Sequence, residues 1–115
     1  MVFDASRCDA NGNSLNHLLA KGVNNMNSLV AIFIRWRTHR FAWHTDISKM
    51  YNRVLLDESH WRFQLYLWDD DLRVGVAPKW KIVNSLIYGV KPSGQLAGVA
   101  IRKLADLVKD ECPLA

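Results

Sequence analysis

Residues 61–68, WRFQLYLW, put Trp61, Phe63, Leu65 and Leu67 on one side of an extended chain and Arg62, Gln64, Tyr66 and Trp68 on the other. Successive side chains of a strand point to opposite faces, so this alternation predicts a β-strand. The next residues, DDDLRVGVAPK (69–79), carry an acidic run, a glycine and a proline, and WKIVNSLIYG (80–89) returns as a second extended segment. Together they predict an antiparallel hairpin, with Asp69, Asp70 and Asp71 as a solvated tip rather than a metal site.

Working outward from the hairpin, the period changes after Pro92. Leu96, Val99, Ala100, the stem of Lys103, Leu104, Leu107 and Val108 fall on one face of a helix that Pro113 to Ala115 stop. Upstream, Asp57, Glu58 and Ser59 read as a turn or the start of a short helix. ISKMYNRVLL (47–56) fits either a helical turn or a strand, and FAWHT (41–45) is an aromatic, β-favouring run that leads into Asp46. From Asn24, the positions Met26, Leu29, Val30, Phe33, Ile34 and the stem of Arg37 recur at helical steps, predicting a helix to about Thr38 capped by Asn24 or Asn25. Residues 5–16 read as irregular chain after a short strand at Val2 and Phe3. The order strand, helix, strand, two strands, helix predicts an α+β fold, an antiparallel sheet with helices packed on one face.

With 115 residues there is room for one domain, so a two-domain enzyme is excluded. Half the residues are hydrophobic, 23% are charged and five are tryptophan, a composition that disfavours disorder. No apolar run is long enough to span a membrane, and MVFDASRCDA lacks the blocks of a signal peptide, so a cytoplasmic or nuclear protein without a membrane partner is expected. Cys8 and Cys112 fit neither a metal spacing nor a disulfide framework and read as reduced thiols. His17, His39, His44 and His60 show no ligand spacing, and Ser14 and Ser93 have no positioned base.

The net charge of +4 permits a polyanionic partner without requiring one. Arg35, Arg37, His39 and Arg40 cluster with Trp36 and Trp43, and Lys79, Lys81, Lys91, Arg102 and Lys103 form a later group. Cations interleaved with aromatics suit a nucleic-acid surface, and equally a solvated helix end beside core tryptophans. Asp46 is the sharpest chemical feature. A carboxylate at the end of a buried strand is held on one side and open on the other, suited to a divalent cation, but it also suits a turn or helix cap.

Four segments, VFDAS (2–6) followed by SLNHLL (14–19), NSLVAIFIRWRTHRFAW (27–43), HTDISKMYNRVLLDES (44–59) and YGVKPSGQLAGVAIRKLADL (88–107), stand in a specific order and spacing. Together they resemble the reverse transcriptase of LTR retrotransposons, most closely the BEL/Pao type, over most of the chain. The resemblance implies a single partial palm-and-fingers domain over residues 1–115 with a palm-type sheet. It implies that Asp46 is the first catalytic aspartate, binding Mg²⁺ together with the carbonyl of Ile47, in a centre where two such ions assist nucleotidyl transfer. Tyr51 then matches the bulky aromatic that crowds the sugar 2′ position. Tyr88 and Gly89, with Val90 to Gly94, match the loop and helix start beside the incoming base. Arg35, Arg37, Arg40 and Lys91 would hold nucleic acid.

The implied partners are an RNA or DNA template-primer, deoxynucleoside triphosphates and the remainder of the polymerase. The family's paired aspartates, of Y-x-D-D type, would follow the last helix beyond Ala115, and its triphosphate-holding basic residues would precede VFDAS. Lacking both, the isolated chain is expected not to polymerise DNA. A non-enzymatic nucleic-acid-binding or interaction protein derived from a retroelement is the alternative, and a poorly folding relic a third.

Overall fold

The computed structural model describes residues 3–70, 75 and 77–112. In chain order the elements are helix α1 (Leu15–Leu18), helix α2 (Leu29–Trp36), a 3₁₀ turn (Met50–Arg53), helix α3 (Glu58–Trp61), strands β1 (Leu65–Trp68) and β2 (Lys79–Ile82), and helix α4 (Ser93–Val108). Helices and an antiparallel pair make this an α+β arrangement, and no helix among the described residues is long and apolar enough to cross a membrane.

The predicted hairpin forms, with Leu65 opposite Ile82, Tyr66 opposite Lys81, Leu67 opposite Trp80 and Trp68 opposite Lys79. Beyond Ile82 the returning chain changes partner. Leu55 bridges Ser85, the Leu56 N–H donates to the Asn84 carbonyl at 2.9 Å and the Leu86 N–H to the Val54 carbonyl at 3.0 Å. The ambiguous 47–56 run therefore resolves into both readings, a 3₁₀ turn and then a short extended stretch. At the acidic tip Asp70 is ion-paired to Lys81 at 2.9 Å, and Asp71 lies outside the described residues.

Helix α4 begins where Pro92 predicts, but on a different face. Its buried residues are Ser93 and Ala97, with Gly94 and Gly98 half-buried beside them, whereas Leu96, Val99, Leu104 and Leu107 are exposed. Small side chains let other backbone come close. A Cβ on Gly94 would sit 3.5 Å from the Tyr51 hydroxyl oxygen, and one on Gly98 would sit 3.9 Å from Asn25. Arg102 fastens the second contact by donating to the Asn25 carbonyl.

Three expectations fail for identifiable reasons. The first helix does not start at Asn24, because the Asn24 side chain accepts from the Met26 N–H in a local turn. Ser28 caps instead, its Oγ accepting from the Ala31 N–H. FAWHT is not a strand, since no neighbouring chain offers it a ladder, and Phe41 and Trp43 stand exposed. Phe3 is not in a strand either, and Val2 lies outside the described residues.

Among the described residues the packing between elements is sparse. Helix α4 packs on the 3₁₀ turn, and α2 buries none of its residues. Leu86 and Ala97 are the buried hydrophobic residues among those described. Around Leu86, leucines 15, 18, 19, 56 and 96 line an open apolar cavity of about 470 Å³ instead of closing over it. The chain exposes 10286 Å², against about 6,400 Å² for a compact monomer of its mass. Its radius of gyration is 19.1 Å, against about 13 Å for a compact chain of this length.

Candidate functional site

Residues 3–19, the 3₁₀ turn and the loop before α4 meet at one corner. At its centre is Asn16. The two hydrogens of its side-chain amide go to Ser6 Oγ and the Gly89 carbonyl, each at 2.8 Å, and its Oδ1 accepts from the Lys91 N–H at 2.8 Å. Its own backbone N–H donates to the Ala5 carbonyl at 2.9 Å. One side chain thus joins segments more than 70 residues apart. Asn16 lies within SLNHLL (14–19), where nothing in its local pattern predicts a role for it. A side chain offering both donors and an acceptor, next to an α1 capped by Ser14, was the available signal.

Gly89 is held there by geometry. Its φ is +88°, in the left-handed region, and a Cβ would lie 2.7 Å from the Phe3 carbonyl oxygen. Next to it the Tyr88 ring packs on the Tyr51 ring with centroids 4.4 Å apart and planes at 43°. Tyr51 is half-buried between Tyr88 and Gly94, while Tyr88 is exposed. A second opening of about 410 Å³, lined by Phe3, Asn52, Tyr66, Ser85 and Tyr88 among others, adjoins this pair. Three of the residues singled out from sequence, Tyr51, Tyr88 and Gly89, are therefore neighbours, and Lys91 is tied to the same corner through its backbone.

Asp46 and Ile47 stand differently. Asp46 is exposed in chain without regular structure, not at the end of a strand. Ile47 precedes a turn in which Lys49 takes φ 53° and the Met50 N–H donates to the Ile47 carbonyl at 3.1 Å, so part of that oxygen's capacity is already used. Arg35, Arg37 and Arg40 lie exposed on and after the last turn of α2, where Arg40 covers the Phe41 ring at 5.4 Å. None of the three forms an ion pair among the described residues.

Two carboxylates have perturbed acidity. The hydroxyl and N–H of Ser59 both donate to Asp57, which caps α3, and hold it below the ordinary carboxylate range. Lys81 and then the Trp68 indole N–H do the same for Asp70. Both are local structural devices on the hairpin and its approach, remote in sequence from Asp46.

Known proteins offer no guide here: no protein-family model, curated protein or solved structure matches the chain. The magnesium implied by the resemblance can be tested on the donors themselves. Among the described residues no three His, Cys, Asp or Glu side chains converge on a point that an ion could occupy. One carboxylate and a partly engaged carbonyl do not satisfy a hard cation that takes six oxygens, so these residues alone do not fit it.

Proposed function

We propose that the chain is a palm-and-fingers piece of a retroelement RNA-directed DNA polymerase, acting in template-directed DNA synthesis when joined to the rest of that enzyme. The observation that carries this reading is the Asn16 junction with its neighbouring Tyr51–Tyr88 contact. VFDAS, SLNH and YGVK are drawn together by Asn16, and the HTDISKMY segment joins them through Tyr51. These are the segments that resemble the family. Their meeting is what a nucleotide subsite needs, because a sugar and a base must be touched by residues from several elements at once.

In this reading Tyr51 excludes a 2′-hydroxyl by its volume. Gly89 lets backbone approach the base, and Arg35, Arg37, Arg40 and Lys91 hold phosphates of the template-primer. Asp46 is one carboxylate of a set that the remainder of the polymerase completes, and the chain by itself is inactive. A cytoplasmic or nuclear location goes with this function.

The test starts from the genomic reading frame, translated on both sides. A continuous frame with a basic segment upstream and a Y-x-D-D hairpin downstream is expected. Protein from that whole frame should extend a primer with Mg²⁺ and lose the activity in Asp46→Ala, while Tyr51→Ala should admit ribonucleotides. Stops or unrelated sequence on both sides, or extension that survives Asp46→Ala, overturns the reading.

The exposed arginines on and after the last turn of α2, which form no ion pair among the described residues, favour one second reading, binding of nucleic acid without catalysis. Affinity of this chain for single-stranded RNA that falls steeply with salt, and falls further in an Arg35, Arg37, Arg40 triple alanine variant, would support it.

A further inference from the structure

Residues 10–45 contain no aspartate or glutamate. Their four formal cations, Lys21, Arg35, Arg37 and Arg40, equal the net charge of the whole chain, so the remainder is electrically balanced. Three of the four stand on and just after the last turn of α2, beside an apolar stripe. Leu29, Val30, Phe33 and Ile34 recur at the spacing that puts them on one side of a helix, and Arg35 falls on the other side. All four apolar side chains are exposed, and α2 buries none of its residues. Past the helix Phe41 and Trp43 are exposed by 70% and 86%, with Arg40 over the Phe41 ring. One stretch thus shows solvent an aliphatic stripe, a cluster of cations and two aromatic rings, with no carboxylate among them.

We propose that residues 28–43 lie on the surface of an anionic lipid bilayer, with α2 in the plane of the interface. Charge selects an anionic partner: three arginines between positions 35 and 40 attract one, and no acidic side chain of the run repels it. The aliphatic side chains select lipid among anionic partners. Leu29, Val30 and Ile34 offer a nucleic acid no charge, no hydrogen bond and no ring to stack on, whereas a bilayer has acyl chains directly below its charged headgroups. Trp43, close in sequence to Arg40, completes the pattern, because an indole prefers the headgroup level between water and acyl chain. Helix α2 is about 12 Å long, far short of the ~30 Å hydrocarbon core, so it fits along the surface and not through it. The expectation of no membrane partner rested on the lack of a spanning run, and a contact that lies on the surface requires none.

The proposal stands apart from the polymerase reading and is tested on the 115-residue chain without nucleotides. In flotation assays the chain should rise with phosphatidylcholine vesicles that contain phosphatidylserine, and far less with phosphatidylcholine alone. Phe33→Gln and Ile34→Gln should each weaken binding roughly tenfold, the loss of one buried apolar side chain. Replacing Arg35, Arg37 and Arg40 together by glutamine should weaken it roughly a hundredfold, and added salt should act in the same direction. Leu67→Gln, a change at an exposed leucine of the hairpin, should leave binding as it was. Lipids brominated in the acyl chain should quench the tryptophan fluorescence of the unaltered chain, and quench it less in Trp43→Phe. That contrast decides the matter if the glutamine variants do not fold. Failure to bind the anionic vesicles overturns the proposal, whether the chain binds single-stranded RNA instead or pairs with a second copy through α2. So does vesicle binding without quenching, binding that ignores Phe33→Gln and Ile34→Gln, or binding that falls as far in Leu67→Gln.

Discussion

Two regions of this chain contrast, the Asn16 corner and the α2 helix. The corner is held by directional contacts between distant segments, with three side-chain hydrogen bonds from one asparagine, a glycine that a carbonyl forbids to be anything else, and small residues of α4 that admit the 3₁₀ turn. Helix α2 has by far the more regular apolar stripe, Leu29, Val30, Phe33 and Ile34, yet every one of those residues is exposed. The comparison teaches that an apolar stripe states a demand for cover. What meets that demand here is settled elsewhere, while the polar and glycine positions carry the long-range order.

Replacing Gly89 should break the corner most severely. Gly89→Ala forces a left-handed conformation on a residue with a Cβ, costing about 1–3 kcal/mol, and drives that Cβ against the Phe3 carbonyl besides. A fall in the urea midpoint with unchanged slope measures it, and an unchanged midpoint would mean that the loop moves freely.

Asn16→Ala comes next, at roughly 1–3 kcal/mol, because the Gly89 carbonyl and the Lys91 N–H both lose their partner. Asn16→Asp should be no rescue, since an oxygen then faces the Gly89 carbonyl where an N–H stood. Hydrogen exchange at Lys91 reads both changes directly.

A smaller effect is expected at the hairpin tip. Asp70 has its acidity raised by Lys81 and Trp68, so its contribution is present above the ordinary aspartate range. It disappears as pH falls through the depressed value. The Lys81 amine signal in a pH titration should follow this loss, and Asp70→Asn should abolish the dependence.

The smallest effect is predicted on α2. Phe33→Ala, which would cost about 3–5 kcal/mol in a closed core, should change the stability of this chain by less than about 0.5 kcal/mol. A large loss would show that α2 is covered in solution and would erase the contrast.

Much of the local structure was legible in the residues. The alternation of WRFQLYLW and the turn composition after it named the hairpin, and Pro92 named the start of α4. The α2 stripe named a helix, though Ser28 displaced Asn24 as its cap because Asn24 satisfied its side chain within its own turn. FAWHT misled because β-propensity describes a fit to a sheet that must exist first. Of the candidate site, Tyr51, Tyr88 and Gly89 came together, Lys91 joined them through its backbone, and Asp46 stayed apart in exposed chain. Asn16 was overlooked because an isolated asparagine in a polar run reads as a turn former. Its value comes from partners more than 70 residues away.

By itself the sequence determined periodicity, turn chemistry, net charge and where helices and the hairpin begin, because these depend on neighbours within a few positions. Tertiary structure alone decided which side of each element is covered. In α4 it chose the small residues over the leucines, and in the hairpin it chose Tyr66 and Gln64 over Leu65 and Leu67. The reason is physical. Burial depends on the shape and hydrogen-bonding groups of the opposing surface, and here Asn25, the Tyr51 hydroxyl and the edge of the Phe3 ring are what meet these faces.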